Sequence, residues 1–216
     1  MMLQSPALEM TFSGAAEFEA VGGISDRIRE SAERWARFHR LEKVPGCRIE
    51  VTSAPTQHVG LGSGTQLALT VVAGLNAFTG LPSLLPKELA RVSGRGQRSA
   101  VGTYGFALGG FIVEAGSLPE EPLGPLEHRE LIPEDWRFVL VRPTRRQGLF
   151  GTEERRAFET LPPVSADVRN QLRREVLDYM TPAVLAGDCS MFGESVYRYG
   201  HLAGSCFAKM QGGAYN

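Results

Sequence analysis

The chain has 216 residues, 43% of them hydrophobic, enough for one large domain or two small ones with a buried core. Lys and Arg number 23 against 24 Asp and Glu, a balance that argues against a general nucleic-acid surface or an acidic-membrane surface. Cys47, Cys189 and Cys206 form no short-spaced pair, which speaks against a disulfide framework or zinc site and for a reducing cytoplasm.

No segment holds the roughly 18 uninterrupted apolar residues of a membrane span, and the opening residues show no secretory signal pattern. Residues 7–12 alternate apolar and polar side chains and are predicted as a strand broken by Ser13-Gly14. Glu17 to Val21 is predicted as a second short strand. From Ser25 the period changes to that of a helix, with Ile24, Ile28, Ala32, Trp35 and Phe38 on one face. Ser25 is the expected N-cap, and Trp35 is expected in the core. Glu30 with Arg34 and Glu33 with Arg37 are i,i+4 pairs on a face expected to be solvated.

Arg48 to Ser53 alternates again and is predicted as a strand. It is followed by HVGLGSGTQLALTVVAGLNAF, residues 58–78. A glycine-rich turn, Gly60-Leu61-Gly62-Ser63-Gly64-Thr65, feeds a helix apolar on nearly every side: Leu67, Leu69, Val71, Val72, Leu75 and Phe78. Such a helix belongs inside the protein. Its first amides have no internal partner and favour an anion, which the glycines allow to come close. The turn lacks the Gly-Lys-Ser/Thr of a nucleotide P-loop and the spacing of a dinucleotide fingerprint. Two readings therefore stand: a phosphate site, or a tight strand-to-helix turn that needs glycine for sterics alone. His58 before the turn is a candidate phosphate contact or a structural residue.

Pro86 to Val92 is predicted as a short helix ended by Gly94. Gly94-Arg95-Gly96-Gln97-Arg98-Ser99-Ala100-Val101-Gly102-Thr103 then brings two arginines beside a further expected helix start near residues 99–103, with its own free amides. Arginine grips phosphate and carboxylate with paired hydrogen bonds. Gly109 to Ala115 and Trp136 to Val141 are predicted strands, separated by a Pro/Gly-rich loop. Arg142 to Gly151 is either a basic surface loop or a flap carrying Arg145 and Arg146. Ser165 is the expected cap of a helix running through Val168, Leu172, Val176, Tyr179 and Met180, which Thr181-Pro182 kinks or ends. Residues 188–207 hold a last helix with Met191, Val196 and Leu202 among its apolar positions. The four histidines have no metal-ligand spacing.

The words Val59-Gly60-Leu61-Gly62-Ser63-Gly64-Thr65 and Gly94 to Phe106, followed by Gly109-Gly110-Phe111, resemble the GHMP kinase superfamily. Within it they resemble the β-ribofuranosylaminobenzene 5′-phosphate synthase branch. The resemblance implies an α+β, GHMP-kinase-like two-layer fold. Its N-terminal half (1–130) would be like ribosomal protein S5 domain 2 and its C-terminal half (131–216) ferredoxin-like and incomplete, with the site in the cleft between them. The resemblance also implies a chain shortened at both ends relative to the family.

The activity implied is that of a decarboxylating phosphoribosyltransferase of methanopterin biosynthesis. It would join 4-aminobenzoate, or a 4-substituted benzoate, to phosphoribosyl pyrophosphate and release CO2 and pyrophosphate. Where several kinase branches carry a Ser-Gly-x-Asp run, this chain has Ser99-Ala100-Val101-Gly102-Thr103, without the carboxylate that would serve a substrate hydroxyl. On this reading Gly60, Gly62, Ser63, Gly64, Thr65, Gly94, Arg95 and Gly96 bind the donor. Arg98, Ser99 and Thr103 are the catalytic candidates, and Ser63 is the candidate Mg2+ ligand. The alternatives are an ATP-dependent small-molecule kinase, with Glu114 or Asp135 as its carboxylate, and a non-catalytic phosphate-ligand-binding remnant. The expected partners are small molecules, with neither nucleic acid nor membrane, and a homodimer is left open.

Overall fold

Local sequence pattern becomes architecture through one central strand. In the computed structural model, which describes residues 5, 7–56, 60–116, 121, 123–141 and 160–214, β3 (Cys47–Ser53) lies between β1 (Glu9–Gly14) and β2 (Glu19–Val21). β1 runs antiparallel to β3, with Phe12 opposite Ile49. β2 runs parallel to it, with Ala20 opposite the same residue. Parallel neighbours need a crossover, and α1 (Ser25–Phe38) supplies it.

α1 and α2 (Ser63–Phe78) then share a core with the sheet. Ile28, Ala32, Trp35, Ile49, Leu69, Val72 and Leu75 are buried together, and the Phe12 ring of β1 lies against Gly74 of α2. Trp35 is fully buried, as its place on the apolar stripe implies. Its indole Nε1 donates to Asn76 Oδ1 at 2.6 Å, and Asn76 Nδ2 donates to the Pro82 carbonyl at 2.6 Å. This chain of hydrogen bonds ties α1 to α2 and satisfies two polar groups that burial would otherwise penalise. Ser25 is not the N-cap of α1. Ile24 takes that place, and no side chain caps the helix.

Four elements follow: α3 (Pro86–Ser93), α4 (Val101–Leu108), and β4 (Phe111–Glu114) in a ladder with β5 (Leu126–Glu130). β5 reads LEHRE, with one apolar residue in five. Its polarity hid it from periodicity, and backbone pairing with β4 makes it a strand.

The chain divides into two compact units, residues 1–129 and 130–216. In the second, Trp136 to Val141 makes no ladder among the described residues, and Val139 and Val141 are 85% and 88% exposed. Alternation supplies a face, but a strand also needs a neighbour's N–H and C=O groups. Beyond Glu130, the last residue of β5, the regular elements described in this unit are helices, so the strands of a ferredoxin-like half are not among the described residues. The Arg142–Gly151 loop, with Arg145 and Arg146, lies outside the described residues.

Ser165 does cap α5 (Ala166–Arg174), its hydroxyl accepting from Val168 N at 3.3 Å. Thr181-Pro182 does not end the helical run. A six-residue π-helical turn, Glu175–Met180, leads straight into α6 (Thr181–Ala186), with Thr181 N–H bonded to Val176 O. The wider turn accommodates a proline that has no N–H to give. Asp188 caps α7 (Cys189–Ser205) through Met191 N, at 2.9 Å. α7 buries Phe192 and Ser195, while Val196 is exposed. Arg198 of α7 donates to both oxygens of Glu175, at 3.0 and 3.1 Å, and a short α8 (Ala208–Gln211) follows. No helix among the described residues is long and apolar enough to cross a membrane.

Candidate phosphate-binding site

The glycine turn takes the chain into α2 through two left-handed residues, Gly60 at φ 78° and Gly62 at φ 69°. A side chain at either position would be strained. Gly62 O accepts from Thr65 N at 2.9 Å and Gln66 N at 3.1 Å, which starts the helix. The Gln66 side chain reaches back to Leu61 O at 2.9 Å and holds the turn closed on itself.

Among the described residues no side chain caps α2, and its first turn contains no acidic residue. Ser63 and Thr65, expected as donor contacts, stand in its first turn. Residues 57–59, His58 among them, lie outside the described residues.

α1 brings one arginine against this mouth and a second against the end of α3. A methyl group placed on Gly64 would come within 2.5 Å of Arg27 Nη2 on α1. A methyl on Gly94 would come within 2.5 Å of Arg34 Nη1, one helical face further along α1. Arg34 Nη1 donates to Ser93 O at 3.1 Å, and its Nη2 pairs with Glu30 at 2.5 Å.

Arg95 follows directly, half-buried, with its Nε shielded from water and without a hydrogen-bond partner. Burial pushes the Arg95 guanidinium below its ordinary pKa; the charges of Arg27 and then Arg34 add to this, while Glu30 opposes it. Guanidinium remains charged in proteins, so the result is a concentrated positive field. The face of α1 expected to be merely solvated thus supplies two arginines that lie against glycines of two separate turns. The signal for them was the seven-residue spacing of Arg27 and Arg34, two helical turns on one face. Only the packing of α1 against α2 and α3 gave it meaning.

The second block is positioned beside the first. A methyl on Gly102, in the first turn of α4, would meet Thr65 Cγ2 at 3.1 Å. The amides expected to be free here are taken, however. Ala100 N donates to the Glu114 carboxylate, and Val101 N donates to Ser99 Oγ at 3.3 Å. The carboxylate that would serve a kinase is thereby the cap of α4.

Gly94 is the left-handed C-cap of α3, and Gly96 also has positive φ, at 92°. Arg98 and Ser99 are exposed, whereas Thr103 is fully buried with an unpartnered hydroxyl. A ligand would reach Thr103 only by displacing its neighbours. No group of three or more His, Cys, Asp or Glu able to hold a metal occurs among the described residues. Ser63 and Thr65 hydroxyls alone do not make a Mg2+ cage, which needs carboxylates or substrate phosphates.

Residues 24–110 match the family model of the GHMP kinases N terminal domain. A solved structure assigned as homoserine kinase from Listeria monocytogenes superposes with a TM-score of 0.56 at 18% identity, covering 88% of this chain and 65% of that one. The chain has the α+β fold of that kinase structure, and over residues 24–110 it is similar to the N-terminal domain of the GHMP kinases.

Within that class, its relatives are β-ribofuranosylphenol 5′-phosphate synthases. That of Methanothermobacter thermautotrophicus is 32% identical over 89% of this chain, and that of Archaeoglobus fulgidus 32% over 75%. That of Methanocaldococcus jannaschii is 26% identical over 73%. The chain spans 61%, 59% and 52% of the lengths of these three relatives.

Proposed function

We propose that the chain is the donor-binding portion of a phosphoribosyltransferase that condenses phosphoribosyl pyrophosphate with a 4-substituted benzoate and releases CO2 and pyrophosphate. The observation that carries this reading is the mouth of α2, entered through left-handed Gly60 and Gly62, free of acidic first-turn residues and with the Arg27 guanidinium against Gly64. Such a mouth suits a polyanion. The relatives' names speak for a ribofuranosyl phosphate product, and for an acceptor with a para hydroxyl in place of the amine of 4-aminobenzoate. Either substituent donates electron density to the ring carbon opposite it.

The chemistry asks for positioning and charge stabilisation rather than a strong base. The bond from the ribose anomeric carbon to the diphosphate breaks, and its electron pair leaves on the diphosphate oxygen. The backbone amides of residues 62–64, with Arg95, hold that growing charge. The ring carbon bearing the carboxylate forms the new carbon–carbon bond. The bond to the carboxylate then breaks, its electron pair restores aromaticity, and CO2 departs. Arg98 and Ser99, exposed just before α4, would take the benzoate carboxylate. A divalent metal would enter with the donor's phosphates, beside Ser63, since the described residues bring no group of metal ligands of their own.

Carboxyl-labelled 4-hydroxybenzoate and 4-aminobenzoate, each incubated with phosphoribosyl pyrophosphate and Mg2+, test the reading. Labelled CO2 is the expected product, and ADP formed from ATP in a parallel tube would favour the kinase. Arg98→Ala should raise an acceptor or donor Michaelis constant about tenfold, from a lost charged hydrogen bond of roughly 1.5–3 kcal/mol. Unchanged constants and turnover would remove Arg98 from the site.

A further inference from the structure

Arg98 and Ser99 stand exposed on the segment that enters α4, so their register depends on how firmly that helix begins. We infer that Glu114 of β4 is a positioning residue for the acceptor: its carboxylate fixes the start of α4 and with it Ser99 and Arg98. This inference rests on the proposed acceptor role of Arg98 and Ser99 and adds a residue to it.

The start of α4 lacks a local cap. Its N-cap is Ala100, which has no side-chain oxygen to offer. Its third residue is Thr103, where a capping box would carry a Glu or Gln to take the N-cap amide. The Thr103 hydroxyl is buried without a hydrogen-bond partner, so it does not serve that amide. Two groups substitute. Ser99 Oγ accepts from Val101 N at 3.3 Å, and the Glu114 carboxylate accepts from Ala100 N. Ser99 is thereby held against the helix start, with its own O–H proton still to give to a carboxylate.

Glu114 is itself held by the β4–β5 ladder. Ala115 N donates to Pro125 O at 2.9 Å, and Tyr104 Oη of α4 donates to Gly124 O at 3.0 Å. Ala100 packs in a small buried cluster with Leu123 and with Ala90 of α3. The same ladder reaches the other end of α4. Arg129 of β5 donates from Nε to Gly109 O at 3.0 Å and from Nη2 to Leu108 O at 2.6 Å. An anion thus meets the positive end of the helix dipole and a cation the negative end. Both groups stabilise α4, but only Glu114 acts on the residue next to Ser99. That asymmetry separates positioning from stability.

The probe is 4-hydroxybenzoate, titrated calorimetrically into the 216-residue chain with Mg2+ and pyrophosphate present. The unaltered chain should bind it. Glu114→Ala should weaken binding by about tenfold, the cost of ordering one further backbone residue on binding. It should also speed amide hydrogen exchange at residues 97–101 and leave pyrophosphate affinity unchanged. Arg129→Ala should lower the melting temperature to a similar degree, yet leave 4-hydroxybenzoate affinity and exchange at residues 97–101 as in the unaltered chain. Glu114→Gln keeps an acceptor oxygen at the same reach and should bind within about threefold of the unaltered chain. Glu114→Asp keeps the charge but draws it back by one methylene, and should weaken binding as alanine does. The Gln and Asp variants decide the matter if Glu114→Ala does not fold.

If Glu114→Ala and Glu114→Asp bind 4-hydroxybenzoate like the unaltered chain, the role of Glu114 is overturned and the acceptor reading stands. The same holds if Arg129→Ala weakens binding as much as Glu114→Ala. If the unaltered chain binds neither 4-hydroxybenzoate nor 4-aminobenzoate, both are overturned.

Discussion

Asn76→Leu tests whether one buried hydrogen-bond chain sets the relation of α1 to α2, and through it the meeting of Arg27 with Gly64. Asn76 is 2% exposed and Trp35 0% exposed. Removing the amide orphans the indole N–H, which no water can reach, at a cost of about 1–3 kcal/mol. The Pro82 carbonyl also loses its donor, but Pro82 is exposed, so water replaces that bond and the added cost is about 1 kcal/mol or less.

A total loss of roughly 1–4 kcal/mol is therefore expected in urea unfolding followed by far-ultraviolet circular dichroism. Trp35→Phe should orphan Asn76 Oδ1 and cost a similar amount. The double variant should be less destabilised than the sum of the two singles by about 1–2 kcal/mol, because neither polar group then lacks its partner in an otherwise polar pair. Pyrophosphate affinity should fall in both singles along with stability. An Asn76→Leu protein within about 0.5 kcal/mol of the parent, or a cycle with no coupling, would refute the reasoning.

Gly62→Ala should destabilise the first unit by about 1–2 kcal/mol, since φ 69° puts a methyl against the next carbonyl. Gly62→Asn should cost less, because asparagine tolerates that region. Equal stability of the parent and both variants in urea would show that the turn is not held left-handed. Cys189 is exposed and Cys47 fully buried, so a thiol reagent should label Cys189 in the native state and Cys47 only on unfolding.

Burial pushes the Cys47 thiol up, although the backbone hydrogen bond of Ser13 works against it. The sign follows from linkage. This stabilising contribution is fully present below the unfolded thiol's pKa and is lost as pH rises through the raised folded value. Cys47→Ala should lack that alkaline fall in stability, and a parent and variant with the same alkaline profile would exclude it.

Much of the first unit follows from sequence pattern because its elements need only their own residues to be defined. The switch from period two to period three-and-a-half at Ser25 marks α1, and the all-round apolar run from Leu67 to Phe78 marks a helix that must lie inside. The glycines at 60 and 62 announce a left-handed turn, and the word they form lies within the stretch similar to the N-terminal domain of the GHMP kinases.

Three features were decided by tertiary structure alone. A strand is defined by its neighbour, so the polar LEHRE is a strand beside β4, while WRFVLV, with a better pattern, has no ladder among the described residues. A helix mouth is open or closed according to what packs on it. α4 is shut by Glu114, fourteen residues away, whereas α2 has no capping side chain.

The arginines show the difference most directly. Spacing puts Arg27 and Arg34 on one face of α1, but it cannot say whether that face meets water or backbone. The packing of α1 against α2 and α3 sets Arg27 against Gly64 and Arg34 against Gly94. Periodicity reports what a segment can bury, whereas electrostatic sites arise where separate segments bring like charges together.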